Sequence, residues 1–301
     1  MKITLPVLFT VAMLLPSMSW AQELTPRAYW PAPKGTRIAT IGYSYVSGDT
    51  IPDPSLPLTG VDSAIGSLSL GYLQTISLWG RSANVIVELP YSDGDTVGTG
   101  NFGENLKREY KGVGDASATL SVNFLGAPSM TPPEFAELRL DPGLIIGGSL
   151  KLVAPTGRYD SDRLINVSAN RWAMKAELGV IVPIREKWLL EVDLGGWFFA
   201  DNDDFLGLTK EQEPLAALQA HLVHTFNRGF WVSLDTSFYT GGRSTVGGRQ
   251  LDDLQRDSKL GLTLVYPLGG KQALKVGYSM GSVIDTDEDF DVFILTYSKG
   301  F

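Results

Sequence analysis

The sequence predicts an all-β protein, a closed antiparallel transmembrane β-barrel of about twelve strands. Three observations predict it. Apolar and polar residues alternate with period two in twelve short segments. The connections alternate between long polar stretches and tight turns. The chain ends in an alternating apolar strand that closes on Phe301.

The amino terminus reads as a secretory signal. Met1-Lys2 carries the positive charge, and an apolar run follows from Ile3 to Leu15. Ser19-Trp20-Ala21 has small residues where a signal peptidase cuts, so cleavage is expected between Ala21 and Gln22. Residues 22–301 then form a single outer-membrane barrel domain. Beyond the signal no run of about 18 apolar residues occurs, so a spanning helix is excluded and only a closed barrel satisfies the backbone in lipid. The chain has no cysteine, which rules out disulfides and thiolate metal sites. Its net charge of -8, with no basic run, argues against nucleic acid as a partner.

The strands are expected near 37–46, 61–73, 82–91, 115–125, 144–152, 172–182, 188–198, 215–226, 230–240, 257–266, 272–281 and 290–299. In the sixth, Trp172, Met174, Ala176, Leu178, Val180 and Val182 alternate with Lys175, Glu177 and Gly179. In the seventh, Trp188, Leu190, Val192, Leu194 and Phe198 alternate with Glu191, Asp193 and Gly195. An even strand count puts both termini on the periplasmic side. Segments 47–60, 92–112, 156–170, 201–213, 241–256 and 282–289 read as long outer loops. Segments 76–81, 184–187, 227–229 and 267–271 read as periplasmic turns. One periplasmic connection, 126–142, is long, and Thr131-Pro132-Pro133-Glu134 marks the start of a short helix there. Pro90, Pro155, Pro183 and Pro267 fall at expected strand ends, where a missing N–H costs least.

Aromatic residues form two expected girdles. Tyr43, Tyr45, Tyr91, Trp172, Phe198 and Phe238 lie towards the loops, and Tyr72, Trp79, Trp188, Phe226, Tyr266 and Tyr297 towards the turns. A soluble sandwich shows the same alternation. The barrel is preferred because the between-positions are small or charged on nearly every strand and the strips run to about 9–11 residues, a tilted span. Phe293, Leu295, Tyr297 and Phe301 give the terminal strand the form that the barrel-assembly machinery recognises, and Lys299 can snorkel to the headgroups.

Pro155-Thr156-Gly157-Arg158-Tyr159-Asp160, followed by Asn166, Asn170, Arg171 and Trp172, resembles the outer-membrane family named for the MetA pathway of phenol degradation. The resemblance continues through Glu177-Leu178-Gly179 and Gly196-Trp197-Phe198-Phe199 and covers nearly the whole mature chain. It implies a barrel in the bacterial outer membrane and a transporter or channel role. It brings no catalytic residues.

Parity points Glu88, Asp115, Lys151, Lys175, Glu177, Glu191, Asp193, His221, Asp235, Lys259 and Lys275 inward. These are the lumen-lining candidates, and charges of both signs on adjacent strands are expected to form transverse pairs. A structural network that fills a narrow barrel is the competing reading. His221 and His224 are the only histidines, with His221 facing in and His224 out. Neither has a serine neighbour of the kind a lipid-facing hydrolase needs, so no enzyme activity and no catalytic set is expected.

Asp201, Asp203 and Asp204, and Asp285 to Asp289 with Asp291, are acidic loops. Phe290 and Thr296 stand where a calcium loop wants glycine and glutamate, so no metal site and no cofactor are expected. The expected function is uptake of small, apolar or aromatic solutes; the alternative is a non-transporting structural or surface-interaction barrel acting through its extracellular loops. The expected partners are outer-membrane lipids and lipopolysaccharide, the assembly machinery through Phe301, and the small-molecule solute.

Overall fold

The computed structural model describes residues 24–49, 61–99, 105–281 and 289–301. Residues 1–23, where the signal is expected, residues 50–60 and 100–104, and the acidic stretch 282–288 lie outside the described residues.

Seventeen strands and one helix follow in chain order among the described residues. The first wall strands are β1 (Arg37–Gly48), β2 (Val61–Leu78), β3 (Arg81–Thr99), β4 (Asn105–Val113) and β5 (Ser117–Leu125). Then come α1 (Pro132–Leu138), β6 (Ile145–Val153), β7 (Ala173–Arg185) and β8 (Trp188–Phe199). β9 (Asn202–Phe205) and β10 (Leu208–Gln212) precede β11 (Leu215–Asn227) and β12 (Phe230–Gly241). β13 (Ser244–Val246) and β14 (Arg249–Gln250) precede β15 (Gln255–Gly269), β16 (Gln272–Gly281) and β17 (Phe290–Gly300).

The wall is a closed antiparallel barrel of twelve strands, with β4 and β5 continuing one another against β3. Closure comes from β1, which pairs with β2 on one side and β17 on the other. The last backbone N–H, that of Phe301, donates to the Arg37 carbonyl at 3.0 Å. The ring of wall strands is thereby closed on itself, as a lipid environment requires.

The outer face carries the apolar half of the alternation. Leu70, Leu178, Leu194 and Leu262 are each more than half exposed. Each such leucine in water forgoes roughly 1 kcal/mol or more of burial. A contiguous belt of them around the wall is therefore a lipid contact surface. Near the short turns the belt ends in a row of packed rings. Trp188, His224, Phe226, Phe230 and Tyr266 follow one another across neighbouring strands, with ring centres 4.4 to 5.6 Å apart. Lys299 reaches the carbonyl of Gly270 at the same level.

The tight turns are two-residue reversals that need positive φ. Trp79 and Gly80 join β2 to β3 with φ of 51° and 73°. Register shifts mark the turn ends of the β7–β8, β11–β12 and β15–β16 hairpins. These bulges take in Pro183 and Pro267 at the ends of their strands.

Three expectations are corrected. Segments 92–112, 201–213 and 241–256 are not plain loops: β3 and β4 run on as a paired ribbon, and β9, β10, β13 and β14 form a separate four-stranded sheet. Cross-strand pairing continues there beyond the length needed to span lipid, a choice periodicity does not limit. The strands β2 and β3, of 18 and 19 residues, are accordingly longer than the expected strips. Pro90 is not at a strand end but in the middle of β3. It is tolerated because the neighbouring strand breaks at 114–116, where the missing N–H would point; only its carbonyl is used, accepting from Gly114 at 2.8 Å.

The helix stands where the Thr131–Glu134 signal put it. Thr131 and Glu134 form a capping box, the Glu134 carboxylate accepting from the Thr131 backbone N–H at 2.7 Å. Glu134 is fully exposed, and this bond holds its carboxyl below its ordinary range.

Candidate functional site

The barrel interior is stacked in four zones. At the periplasmic end lies an apolar core that the wall alone does not make. Tyr29 and Trp30, from the segment ahead of β1, pack with Met130 and Phe135 of the α1 connection against Ile38, Leu73, Ile145, Ile181, Val223 and Val265 of the wall. The Arg27 guanidinium lies between the rings of Trp30 and Trp231, at 4.9 and 5.0 Å. Its backbone N–H donates to Glu191, and its side chain to the Thr225 hydroxyl. Residues 24–36 thus enter the barrel and close its periplasmic end.

Above this plug is a charged belt, which holds most of the inward candidates. Lys175 Nζ is 2.6 Å from Glu177 Oε2, two residues along the same strand. Lys151 Nζ is 3.5 Å from Glu88 Oε2, across the intervening β5. Lys151 and Lys175 are register partners, yet each turns to its own acid. The Lys151–Glu88 pair spans two strand spacings and the Lys175–Glu177 pair lies along one strand, so neither is the adjacent-strand pair expected; two cations side by side repel, and each takes a nearby carboxylate.

His221 is fully buried. Its Nδ1 is 2.8 Å from Asp235 Oδ1 and its Nε2 3.7 Å from Asp193 Oδ2. Thr263 donates to the other Asp235 oxygen at 2.7 Å. Glu191 receives Arg27, Lys275 is buried on β16, and the Lys259 ammonium sits 4.9 Å over the Phe290 ring. All of these side chains are packed within the barrel.

The third zone is apolar again: Val153, Ala173, Trp197, Leu215, Ala217 and Tyr239, with Phe199 alongside. Arg171 stacks on Phe199 at 4.6 Å and donates to Gln212.

The outermost zone is the family-like motif folded into the mouth. Asp115 sits in the wall break opposite Pro90. Its carboxylate accepts from Gly157 N at 2.8 Å, Ser168 Oγ at 2.8 and 3.0 Å, and Ala169 N at 3.0 Å. Asp115 therefore anchors a segment instead of presenting its charge to a passage. Gly157 is required there: a Cβ would stand 2.7 Å from the Gly114 carbonyl carbon and 2.9 Å from the Val113 oxygen. Asn166 ties the segment to itself through Asp160 and Arg163, and Asn170 reaches Asn202 at 3.0 Å. Tyr159 accepts from Asn202 at 2.9 Å and donates to the Asp204 carbonyl at 2.9 Å. Trp172 turns out to the lipid side, 56% exposed. Ile165 joins Ile65, Tyr110 and Phe205 in an apolar cluster beneath the mouth.

The chain matches the family named for a MetA pathway of phenol degradation over residues 47–286. The chain belongs to this family. Curated proteins give no match. Among solved structures, an outer membrane channel from Pseudomonas putida F1 is similar with a TM-score of 0.74 and 19% identity, covering 93% of this chain and 100% of that chain. The toluene transporter TodX of Pseudomonas putida is more distant, with a TM-score of 0.46 and 12% identity over 93% of this chain and 95% of that chain. The family's motif and the closed barrel with its lipid-facing belt place this protein in the bacterial outer membrane.

Within the family-like region, the wall beside the charged belt is thin. Gly148, Ala176 and Gly196 face lipid there and leave an open groove of about 510 Å³, rimmed by Leu120, Phe124, Leu150, Leu178, Leu194 and Phe198. On the inner side of the same strands stand Gly147, Ser149, Glu177 and Gly179, which face Tyr29. Parity reasoning found the charged belt but not Arg27, Tyr29 or Trp30. Their one signal was two adjacent aromatics in a proline-bounded stretch, Arg27-Ala28-Tyr29-Trp30-Pro31, that no strand pattern explains.

Proposed function

We propose that this protein is a channel that passes small, apolar or aromatic solutes across the outer membrane. One observation carries the reading: a separate stretch of chain, residues 24–36, enters the periplasmic end and completes its closure against the wall's apolar side chains and the α1 connection, which do not close it by themselves. A barrel built only to be a rigid support is filled from its walls. A closure made of a segment can leave. The apolar zones around Trp197 and Ile165 favour ring-shaped or aliphatic solutes over sugars on the outer side of the belt. In this reading the buried charges of the belt line the passage when the segment is out.

Enzyme chemistry has no support from either histidine. His221 faces two carboxylates, and His224 is packed between the rings of Trp188, tilted, and Phe226, edge-on. Assembly through the terminal strand and contact with lipopolysaccharide at the outer rim belong to the same reading; the exposed Phe301 side chain supports the first.

The test is reconstitution. The full-length mature protein in planar bilayers should show rare, small openings, and a variant lacking residues 24–34 should conduct steadily and pass small aromatic solutes into liposomes. A deletion variant that folds yet neither conducts nor admits solute removes the channel reading and leaves the non-transporting barrel.

A further inference from the structure

Tyr29 is held as a bound ligand would be. Its ring lies against Gly147 and Gly179, register partners on β6 and β7. A Cβ at Gly147 would stand 2.4 Å from Tyr29 Cδ1, and one at Gly179 would stand 2.1 Å from Tyr29 Cε2. Any side chain larger than hydrogen at either position excludes the ring. The two glycines therefore make a flat slot in the inner wall.

Polar groups stand at the end of that slot. The phenolic oxygen is 3.1 Å from Ser149 Oγ and 3.1 Å from Glu177 Oε1. The other Glu177 oxygen is engaged by Lys175 at 2.6 Å and by Gln219 at 3.4 Å. Lysine and glutamine orient the carboxylate and leave Oε1 for a hydroxyl donor. The slot thus recognises a planar ring with one hydroxyl at its edge. Neither element depends on the ring being part of the chain.

We propose that the Gly147–Gly179 slot is a binding site for phenolic solutes and that Tyr29 occupies it as an internal competitor. A free phenol that takes the slot donates its O–H to Glu177 and accepts from Ser149. It displaces Tyr29 and loosens residues 24–36. The solute then releases the closure of its own passage. This inference rests on the channel reading and names its substrate class. A ring without the hydroxyl leaves the buried Glu177 oxygen unmatched and is disfavoured. Competition from Tyr29 lowers the apparent affinity of the wild-type protein by the fraction of time the slot is free.

Isothermal titration of phenol and of methoxybenzene, which has no O–H to donate, into the full-length mature protein tests the proposal. The variants are Tyr29→Ala, Tyr29→Phe and the double variant Tyr29→Ala with Gly179→Ala, each checked for folding by heat-shifted migration on gels. Phenol should bind Tyr29→Ala about tenfold more tightly than wild type, with Tyr29→Phe between them. Methoxybenzene should bind none of them, and the methyl group of Gly179→Ala should abolish phenol binding. Phenol should also raise the conductance of wild type in planar bilayers and leave that of Tyr29→Ala unchanged. Equal phenol affinity for wild type and both Tyr29 variants, or binding that survives Gly179→Ala, overturns the slot. A Tyr29→Ala protein that conducts but binds no phenol in the titration overturns the slot and keeps the channel.

Discussion

At the periplasmic end, residues 24–33 enter the barrel mainly with their side chains: the Tyr29 ring in a glycine slot, the Arg27 guanidinium between two indoles, and a few hydrogen bonds to Glu191, Thr225 and Glu177. Main-chain pairing with Met130 and Thr75 begins only at Lys34, Gly35 and Thr36. At the outer end, residues 154–172 are joined to the wall largely through the main chain. Ala154 N donates to Ala116 O at 2.9 Å, Arg158 N to Val113 O at 2.8 Å, and Gly157 N and Ala169 N to the Asp115 carboxylate. Side-chain contacts are individually modest and separable, whereas a buried main-chain network fails only as a unit. The difference teaches which closure is part of the wall and which can be withdrawn.

The largest expected effect lies at the outer anchor. Asp115→Ala strips the acceptor from three donors at a position 2% exposed. Leaving such donors buried costs about 1–3 kcal/mol each before relaxation. Urea titration of the folded variant should show a lower midpoint, and trypsin should cut at Arg158 or Arg163. If both segments were equally loose, Asp115→Ala and Arg27→Ala would give the same proteolysis pattern and the comparison would fail.

A smaller effect is expected in the belt. Lys175→Glu places a third carboxylate beside Glu177 on its own strand and Asp193 on β8. In the background lacking residues 24–34, the reversal potential in a salt gradient should move towards cation selectivity, because a pore follows the sign of its lining charges. An unmoved reversal potential would mean that ions do not pass this level, and the belt would then be filling.

The smallest effect belongs to the helix that supports the plug. The carboxyl of Glu134 lies below its ordinary value of 4.5 because it accepts from Thr131. The stabilisation from this bond is therefore present above that ordinary value and is lost as pH falls through the depressed one. Hydrogen exchange at Phe135 and Ala136 should quicken in that acid window, and Glu134→Gln should be insensitive to it.

Much of the wall was readable from residues alone. Leu178 outside and Glu177 inside follow from one parity rule, and the turn at Trp79-Gly80 and the helix after Thr131 follow from local signals. The outer sheet was missed because β10 and β13 are five and three residues long, too short for a periodic signal. Pro90 was placed wrongly because its acceptability depends on a break in a neighbouring strand some 25 positions on, at 114–116.

The sequence by itself determined the barrel: alternation with an apolar face and a polar face, unbroken by any long apolar run, has one solution in lipid. Only the tertiary structure decided what fills it. That Tyr29 meets Glu177, 148 residues away, depends on two glycines facing inward at the same level of adjacent strands. Periodicity assigns a side chain to a face of the wall; it carries no information on which distant segment comes to lie against that face.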